Sequence, residues 1–156
     1  MEWFAVLIHS IVSLVQSVVS EFKRILPIPP FRTIRITHID RDLACTWNIA
    51  KQKDSKDLMW VVGDLLVTNL MDESVTLAHS LLNRKKKIKG TVCVGGVSSD
   101  RPATKLLLPK RSEECRVIFH ITPPLQNNKE LYIDDIAIVD SFGNEHWSRS
   151  CRFEYY

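Results

Sequence analysis

The residues WVVGDLLVTNLMDESVTL, at positions 60–77, carry the clearest structural signal in this chain. Two runs rich in Val, Leu and Thr flank residues 69–74, whose Asn, Asp, Glu and Ser side chains suit a turn. Such runs are typical of strands, and two of them around a short polar connection predict a β-hairpin. The stretch therefore indicates a hairpin inside an all-β domain.

Further strand-like runs lie on both sides of this stretch. Residues 33–39 alternate apolar and polar side chains, and alternation resumes at Leu43, Cys45, Trp47 and Ile49. Further candidate strands follow at 90–94, 105–109, 115–121, 131–140 and 146–156. In residues 115–121 the face to be buried is Cys115, Val117, Phe119 and Ile121. Residues 141–145 join the last two runs, with Gly143 and Asn144 suited to a tight turn. Many short strands and no second helical pattern predict one antiparallel β-sandwich.

Three stretches resemble strands of bacterial immunoglobulin-like domains: residues 63–69 before an acidic turn, residues 108–121, and residues 138–144 near the end. The resemblance is one of fold, covers residues 33–156 and implies no activity. Cys45 and Trp47 are two residues apart, which departs from the cysteine, tryptophan and cysteine spacing of antibody domains. We therefore do not expect an inter-sheet disulfide of the antibody type.

The N-terminal residues are of a different kind. Residues 3–20 contain no Asp, Glu, Lys or Arg, and a helix of that length spans about 27 Å, close to the bilayer core. Trp3 and Phe4 begin this segment, and the charged residues Glu21, Lys23 and Arg24 follow it, as at membrane interfaces. The chain is thus predicted to be mainly β, with a transmembrane anchor helix in residues 1–26, a proline-rich hinge at 27–31 and an immunoglobulin-like domain at 32–156.

Small polar residues follow one face of the predicted helix: Ser10, Ser13, Ser17 and Ser20. In a membrane, small residues at this spacing let helices approach closely, so we expect a homo-oligomer formed through the helix, or the lining of a pore. The alternatives are an amphipathic helix in the lipid interface and a soluble helix packed on the domain.

Charge flanking the helix predicts its orientation. Lys23, Arg24, Arg32 and Arg35 follow it, whereas Glu2 precedes it. The positive-inside rule then predicts a single-pass membrane protein with a cytoplasmic C-terminal domain. The four cysteines are expected to stay reduced in that compartment.

The sequence predicts no catalytic residue, no metal site and no cofactor. There is no C-x-x-C pair, which argues against a zinc ribbon. The five histidines are dispersed and no hydrolase or phosphate-loop motif is present. Asp134 and Asp135 are neighbours on a predicted strand, so we expect their carboxylates on opposite faces.

One local charge feature remains, the basic run at residues 83–89. Its members Arg84, Lys85, Lys86, Lys87 and Lys89 are candidates for contact with an anionic ligand, such as a nucleotide or a nucleic acid, or with lipid headgroups. The alternative is a solvated loop that protects a sheet edge. The aromatic residues Trp147, Phe153, Tyr155 and Tyr156 near the end of the chain belong either to the core or to a protein interface.

These observations lead to three functional hypotheses. The first is a non-enzymatic, membrane-anchored protein whose cytoplasmic sandwich binds a protein partner. The second is a ligand-gated membrane effector of a bacterial antiviral defence system, in which the sandwich senses a nucleotide or protein signal and the helices perturb the membrane. The third is a soluble β-sandwich binding protein with a packed N-terminal helix.

Overall fold

The computed structural model describes residues 33–51, 56–95 and 104–156. The predicted anchor, the hinge and the serines Ser10, Ser13, Ser17 and Ser20 lie outside these residues. The described residues contain no helix with the length and apolar character needed to cross a bilayer. They form nine strands: β1 (Ile34–His38), β2 (Cys45–Lys51), β3 (Asp57–Asn69), β4 (Val75–Leu82), β5 (Ile88–Val94), β6 (Leu106–Leu107), β7 (Ser112–Ile121), β8 (Tyr132–Asp140) and β9 (Glu145–Tyr155).

Seven of these strands form a sheet that closes on itself. Antiparallel pairings run in the order β2, β3, β7, β5, β4, β8 and β9. A short parallel pairing between β9 and β2, with Trp47 opposite Tyr155, completes the circle. β1 pairs with β3 next to β2, and β6 pairs with β4. The domain is therefore mainly β, as predicted, and takes the form of a closed barrel with two additional strands.

The predicted hairpin at residues 60–77 is wrong, although both of its strands are present. β3 is bonded to β1 and β2 on one edge and to β7 on the other, so no edge remains for β4. β4 instead pairs with β5, β6 and β8. The hairpin of β8 and β9 is confirmed, and Gly143 in its turn has a φ of 84°.

Alternating side chains fill the barrel interior. Met59, Val61, Leu65 and Val67 of β3 are fully buried, and so are Cys115, Val117 and Phe119 of β7, which confirms the face predicted for residues 115–121. Each buried aliphatic or aromatic side chain of this size contributes roughly 1.5–3 kcal/mol to stability. Trp47 is 1% exposed, and its indole donates to the Glu130 carbonyl at 3.0 Å.

The strand register defines the two ends of the barrel. Ile34 pairs with Asn69 and Thr68 with Ser112, which places the start of the described chain beside the turns at 70–74 and 108–111; this is the Thr33 end. Met59 pairs with Ile121 and Tyr132 with Phe153 at the other end, where the 122–131 loop lies; this is the Pro123 end. β4 starts at the Thr33 end and runs to the Pro123 end. The basic run follows β4 and therefore lies at the Pro123 end.

Candidate functional site

The basic run forms an ordered turn, residues 83–87, between β4 and β5. The Asn83 side-chain oxygen accepts hydrogen bonds from the amides of Lys85 (3.2 Å) and Lys86 (3.0 Å). The Lys87 amide donates to the Asn83 carbonyl at 2.7 Å. An asparagine suits this role because it tolerates the positive φ of 62° found here. The turn consequently has a defined backbone even though its lysine side chains are exposed.

Two of the five predicted basic residues contact other parts of the domain. Arg84 forms an ion pair with Asp135 (3.6 Å) and lies over the Trp147 ring, 5.0 Å from its centroid. Lys87 Nζ is 2.7 Å from Glu145 Oε1, and this hydrogen bond lowers the pKa of Glu145. The charges of Arg84 and Lys87 are therefore largely neutralised within the chain.

The other three, Lys85, Lys86 and Lys89, are exposed and have no ion pair among the described residues. Lys86 borders a groove. Lys89 is paired opposite Leu81. Burial, followed by the nearby charges of Lys89 and Lys105, lowers the pKa of His79. The predicted run is thus split into a neutralised pair and three lysines whose charge is available to a partner.

The groove beside Lys86 has a volume of about 350 Å³. It is lined by Lys86 and Ile88, and by His120 with the following residues up to Leu125. A cis peptide bond precedes Pro123. None of the described residues that line this groove is acidic. We call it the Lys86 groove.

An exposed aromatic pair adjoins the groove. His120 lies opposite Trp60 on the neighbouring strand, and their ring centroids are 4.1 Å apart. Trp60 is 38% exposed, which is unusual for a side chain of this size. The pair was not singled out from the sequence, but a signal was present: in the alternation of β3 and β7, Val61 and Phe119 point inward, so their neighbours must point outward.

The two neighbouring aspartates of β8 both contact the basic turn. The pairing of β8 with β9 shifts register between Asp134 and Ile136, and the extra residue lies in β9, between Ser148 and Cys151. Asp134 accepts from the Asn83 side-chain amide at 2.9 Å and from the hydroxyl of the buried Tyr132, whereas Asp135 pairs with Arg84. The two carboxylates therefore reach the turn through different partners.

The cysteines are free thiols rather than disulfides. Burial raises the pKa of Cys45 to about 11 and the pKa values of Cys115 and Cys151 to about 12. A thiol with such a pKa is protonated at neutral pH and is a poor nucleophile. In the described part of the chain, no group of three or more His, Cys, Asp or Glu residues is arranged to hold a metal ion.

Polar pairs link β1, β8 and β9, and of their members only His38 is exposed. His38 Nε2 is 2.9 Å from Ser148 Oγ, but Ser148 is only 8% exposed, so a substrate has little access to its hydroxyl. His146 contacts Asp140 at 3.0 Å, and Asp140 also accepts the Phe142 and Asn144 amides of the β8–β9 turn. These contacts hold β1, β8 and β9 together.

The aromatic residues near the end of the chain divide between core and surface. Phe153 is fully buried, and Tyr155 packs on Trp47 with ring centroids 5.0 Å apart. Trp147 is half-buried against Leu81, Ala137 and Val139. Only Tyr156 is largely exposed, at 76%. Most of these aromatic residues therefore contribute to packing within the domain, and Tyr156 is the one with most of its surface available to an interface.

Comparison of the chain with protein families and with curated proteins finds no match in either. The geometry of the Pro123 end and the sequence pattern are therefore the features that bear on function.

Proposed function

We propose that this chain is a non-enzymatic, single-pass membrane protein whose cytoplasmic domain binds a protein partner and whose N-terminal helix drives self-association. The anchor is inferred from the uncharged residues 3–20 and the charges that flank them. Self-association is inferred from the serines of the helix, Ser10, Ser13, Ser17 and Ser20.

In this proposal the domain is an immunoglobulin-like sandwich. The pairings give the strand orders β2-β3-β7-β5 and β9-β8-β4. When β2, β3, β4, β5, β7, β8 and β9 are labelled A to G in chain order, these orders become A-B-E-D and G-F-C. They agree with the two sheets of constant-type immunoglobulin domains. Few residues pair between the two groups of strands: three residue pairs join β4 to β5, and two join β2 to β9. Such limited pairing favours a flattened barrel, in which two sheets face each other across the core.

The observation that carries the partner-binding proposal is the exposed Trp60–His120 pair beside the Lys86 groove. Interfaces between proteins are centred on large aromatic anchors, frequently tryptophan, at the rim of a pocket. The pair belongs to the Pro123 end, whereas Thr33 begins the described chain at the other end. An exposed aromatic pair beside a groove is a feature that favours a protein partner.

A second candidate is the ligand-gated membrane effector of bacterial antiviral defence. It is supported by Lys85, Lys86 and Lys89, whose charges have no ion-pair partner among the described residues. A nucleotide bound by these side chains would show a steep loss of affinity with salt. Titration with nucleotides at two salt concentrations separates this candidate from the first, which predicts no nucleotide binding.

The test of the anchor is fractionation of the intact chain, followed by alkaline carbonate extraction and crosslinking of the membrane pellet. We expect the protein to stay in the pellet and to crosslink as an oligomer. The double variant Ser13→Leu, Ser17→Leu should remain in the pellet but lose most of the crosslinked species, because larger side chains keep the helices apart.

A matched control is Ser112→Leu, a substitution of the same kind at an exposed position on the barrel. It should leave extraction and crosslinking unchanged. Recovery of the wild-type chain in the soluble fraction without detergent would contradict the anchor and favour a soluble binding protein.

A further inference from the structure

We propose that the Lys86 groove receives a segment of the partner protein that combines an acidic residue with an adjacent apolar one. This inference rests on the proposed partner-binding function and adds the chemistry of the partner. It concerns the surface formed by Lys86, Ile88, His120 and residues 121–125, together with Trp60.

Charge complementarity requires an acidic group in the occupant. Lys86 lines the groove, and no described lining residue is acidic. Lys85, its neighbour in the turn, is also without an ion pair among the described residues. By contrast, the charges of Arg84 and Lys87 are matched by Asp135 and Glu145. The turn therefore directs unmatched positive charge at the groove, where a carboxylate is attracted and a cationic segment is repelled.

The remaining walls require an apolar group next to that carboxylate. Ile88, Pro123, Pro124 and Leu125 present carbon surface to the groove. Its volume of about 350 Å³ lies near the lower limit for pockets that enclose a ligand. It is thus suited to one or two side chains rather than to a whole folded surface. The exposed ring of Trp60 extends the apolar surface beyond His120.

The backbone of the groove argues against a phosphate as the occupant. Phosphate sites in proteins are commonly built from free backbone N–H groups. Here the amides of Lys85 and Lys86 donate to the Asn83 side chain, and the amide of Lys87 donates to the Asn83 carbonyl. Pro123 and Pro124 have no N–H to offer. A single carboxylate needs only the Lys86 ammonium group, so an acidic peptide fits better than a nucleotide.

The experiment is selection of short random peptides on phage against the full chain in detergent micelles. Selected peptides are then titrated by fluorescence anisotropy. We expect enriched sequences with Asp or Glu next to Leu, Ile, Phe or Trp. Lys86→Glu should weaken their binding about tenfold or more, because it replaces an attractive charge by a repulsive one. Trp60→Ala and His120→Ala should each weaken it by about fivefold or more.

Lys85→Glu is the matched control, because it makes the same change of charge one residue away from the groove lining. It should weaken binding only about two- to threefold, through the general field of the domain. A peptide in which the acidic residue is replaced by Lys should recover affinity for Lys86→Glu and not for Lys85→Glu. Melting curves of all variants check that the exposed substitutions leave the fold intact.

Three outcomes would overturn the inference: selected peptides without an acidic bias, equal losses for Lys86→Glu and Lys85→Glu, or displacement of the peptides by ATP used as a competitor. Peptides that bind elsewhere on the domain would overturn the groove assignment while leaving the partner-binding function intact. The carbonate extraction tests the anchor independently of these peptides, so failure of one proposal is distinguishable from failure of the other.

Discussion

At the scale of single residues, Asn69 shows how one buried amide joins separate segments. Its side-chain nitrogen, which carries two hydrogens, lies within hydrogen-bond distance of the carbonyls of Glu73 (2.7 Å), Leu107 and Leu108 (3.2 Å each), and its oxygen accepts the Met71 amide. The side chain is fully buried. We therefore expect Asn69→Ala to lower the free energy of unfolding by about 2–4 kcal/mol, because it leaves several buried backbone groups without partners.

Urea unfolding followed by circular dichroism measures this loss. Asn128→Ala is the control, because Asn128 is exposed in the 122–131 loop and its side chain donates to the exposed Glu130 carboxylate. Its effect should stay within about 0.5 kcal/mol. Equal effects of the two substitutions would contradict the role assigned to Asn69.

Asp140 predicts a dependence of stability on pH. Burial raises the pKa of this carboxyl group, but hydrogen bonds from His146 and Asn144 outweigh burial and hold the pKa below its ordinary value of 3.8. A carboxylate with a lowered folded-state pKa stabilises the fold above its unfolded pKa, and the contribution is lost as pH falls through the folded pKa. Asp140→Asn should thus cost about 1–3 kcal/mol at neutral pH, and this difference should shrink below about pH 4.

Unfolding free energies of the wild type and of Asp140→Asn, measured from pH 7 down to pH 3, check this expectation. Asp72→Asn is the control, since the Asp72 side chain is 91% exposed and its substitution should have an effect near zero throughout. A difference for Asp140→Asn that stays constant down to the lowest pH would show that the carboxylate charge has no part in it.

At the scale of elements, Gly90 marks the point at which β5 changes its partner strand. At this residue β5 leaves its pairing with β4 at Ser80 and takes up pairing with β7 at Thr91. A Cβ atom at Gly90 would lie 2.3 Å from a ring carbon of Phe119 and 2.5 Å from the Ile118 carbonyl oxygen. We expect Gly90→Ala to destabilise the domain by about 3 kcal/mol through overpacking.

Thermal and urea unfolding of Gly90→Ala test this close approach. Gly63→Ala is a matched control on another buried strand, because its nearest contacts are Cys45 Sγ and a Val117 methyl, each at 3.3 Å. It should cost clearly less than Gly90→Ala, since side chains yield more easily than backbone. The reverse order would show that β5 lies farther from β7 than described.

At the scale of the whole molecule, the closed barrel predicts the reactivity of the cysteines. Cys115 and Cys151 are fully buried, whereas Cys93 is half-buried and its sulfur lies 3.7 Å from the Arg116 carbonyl oxygen. Maleimide labelling followed by mass spectrometry should modify Cys93 first. Cys115 and Cys151 should react only in denaturant, because their thiols are enclosed and stay protonated at neutral pH. Rapid native labelling of Cys151 would contradict closure between β2 and β9.

The strands were largely predictable, whereas their partners were not. Alternation marks the inward face of residues 115–121 and both strands of residues 60–77, because side chains of a strand point to opposite sides in turn. The pattern of residues 60–77 also predicts a hairpin, which is wrong, since short polar connections commonly but not always join neighbouring strands. Which strands neighbour each other depends on hydrogen bonds to residues far away in the chain, such as Thr68 with Ser112.

The candidate site was predictable only in part, for the same reason. The basic run was visible as a charge cluster, but its division into neutralised and available residues depends on Asp135 and Glu145, which are distant in sequence. The Lys86 groove and the Trp60–His120 pair depend on strands that are not adjacent in the sequence.

The strand content, the inward faces and the separate apolar segment at residues 3–20 are readable from the sequence, because they follow from local spacing and side-chain chemistry. The folded structure is needed to show which edges pair, which partners Asp134 and Asp135 contact, and which lysines have no ion pair among the described residues. Those properties arise from contacts between distant residues, and local patterns carry no information about such contacts.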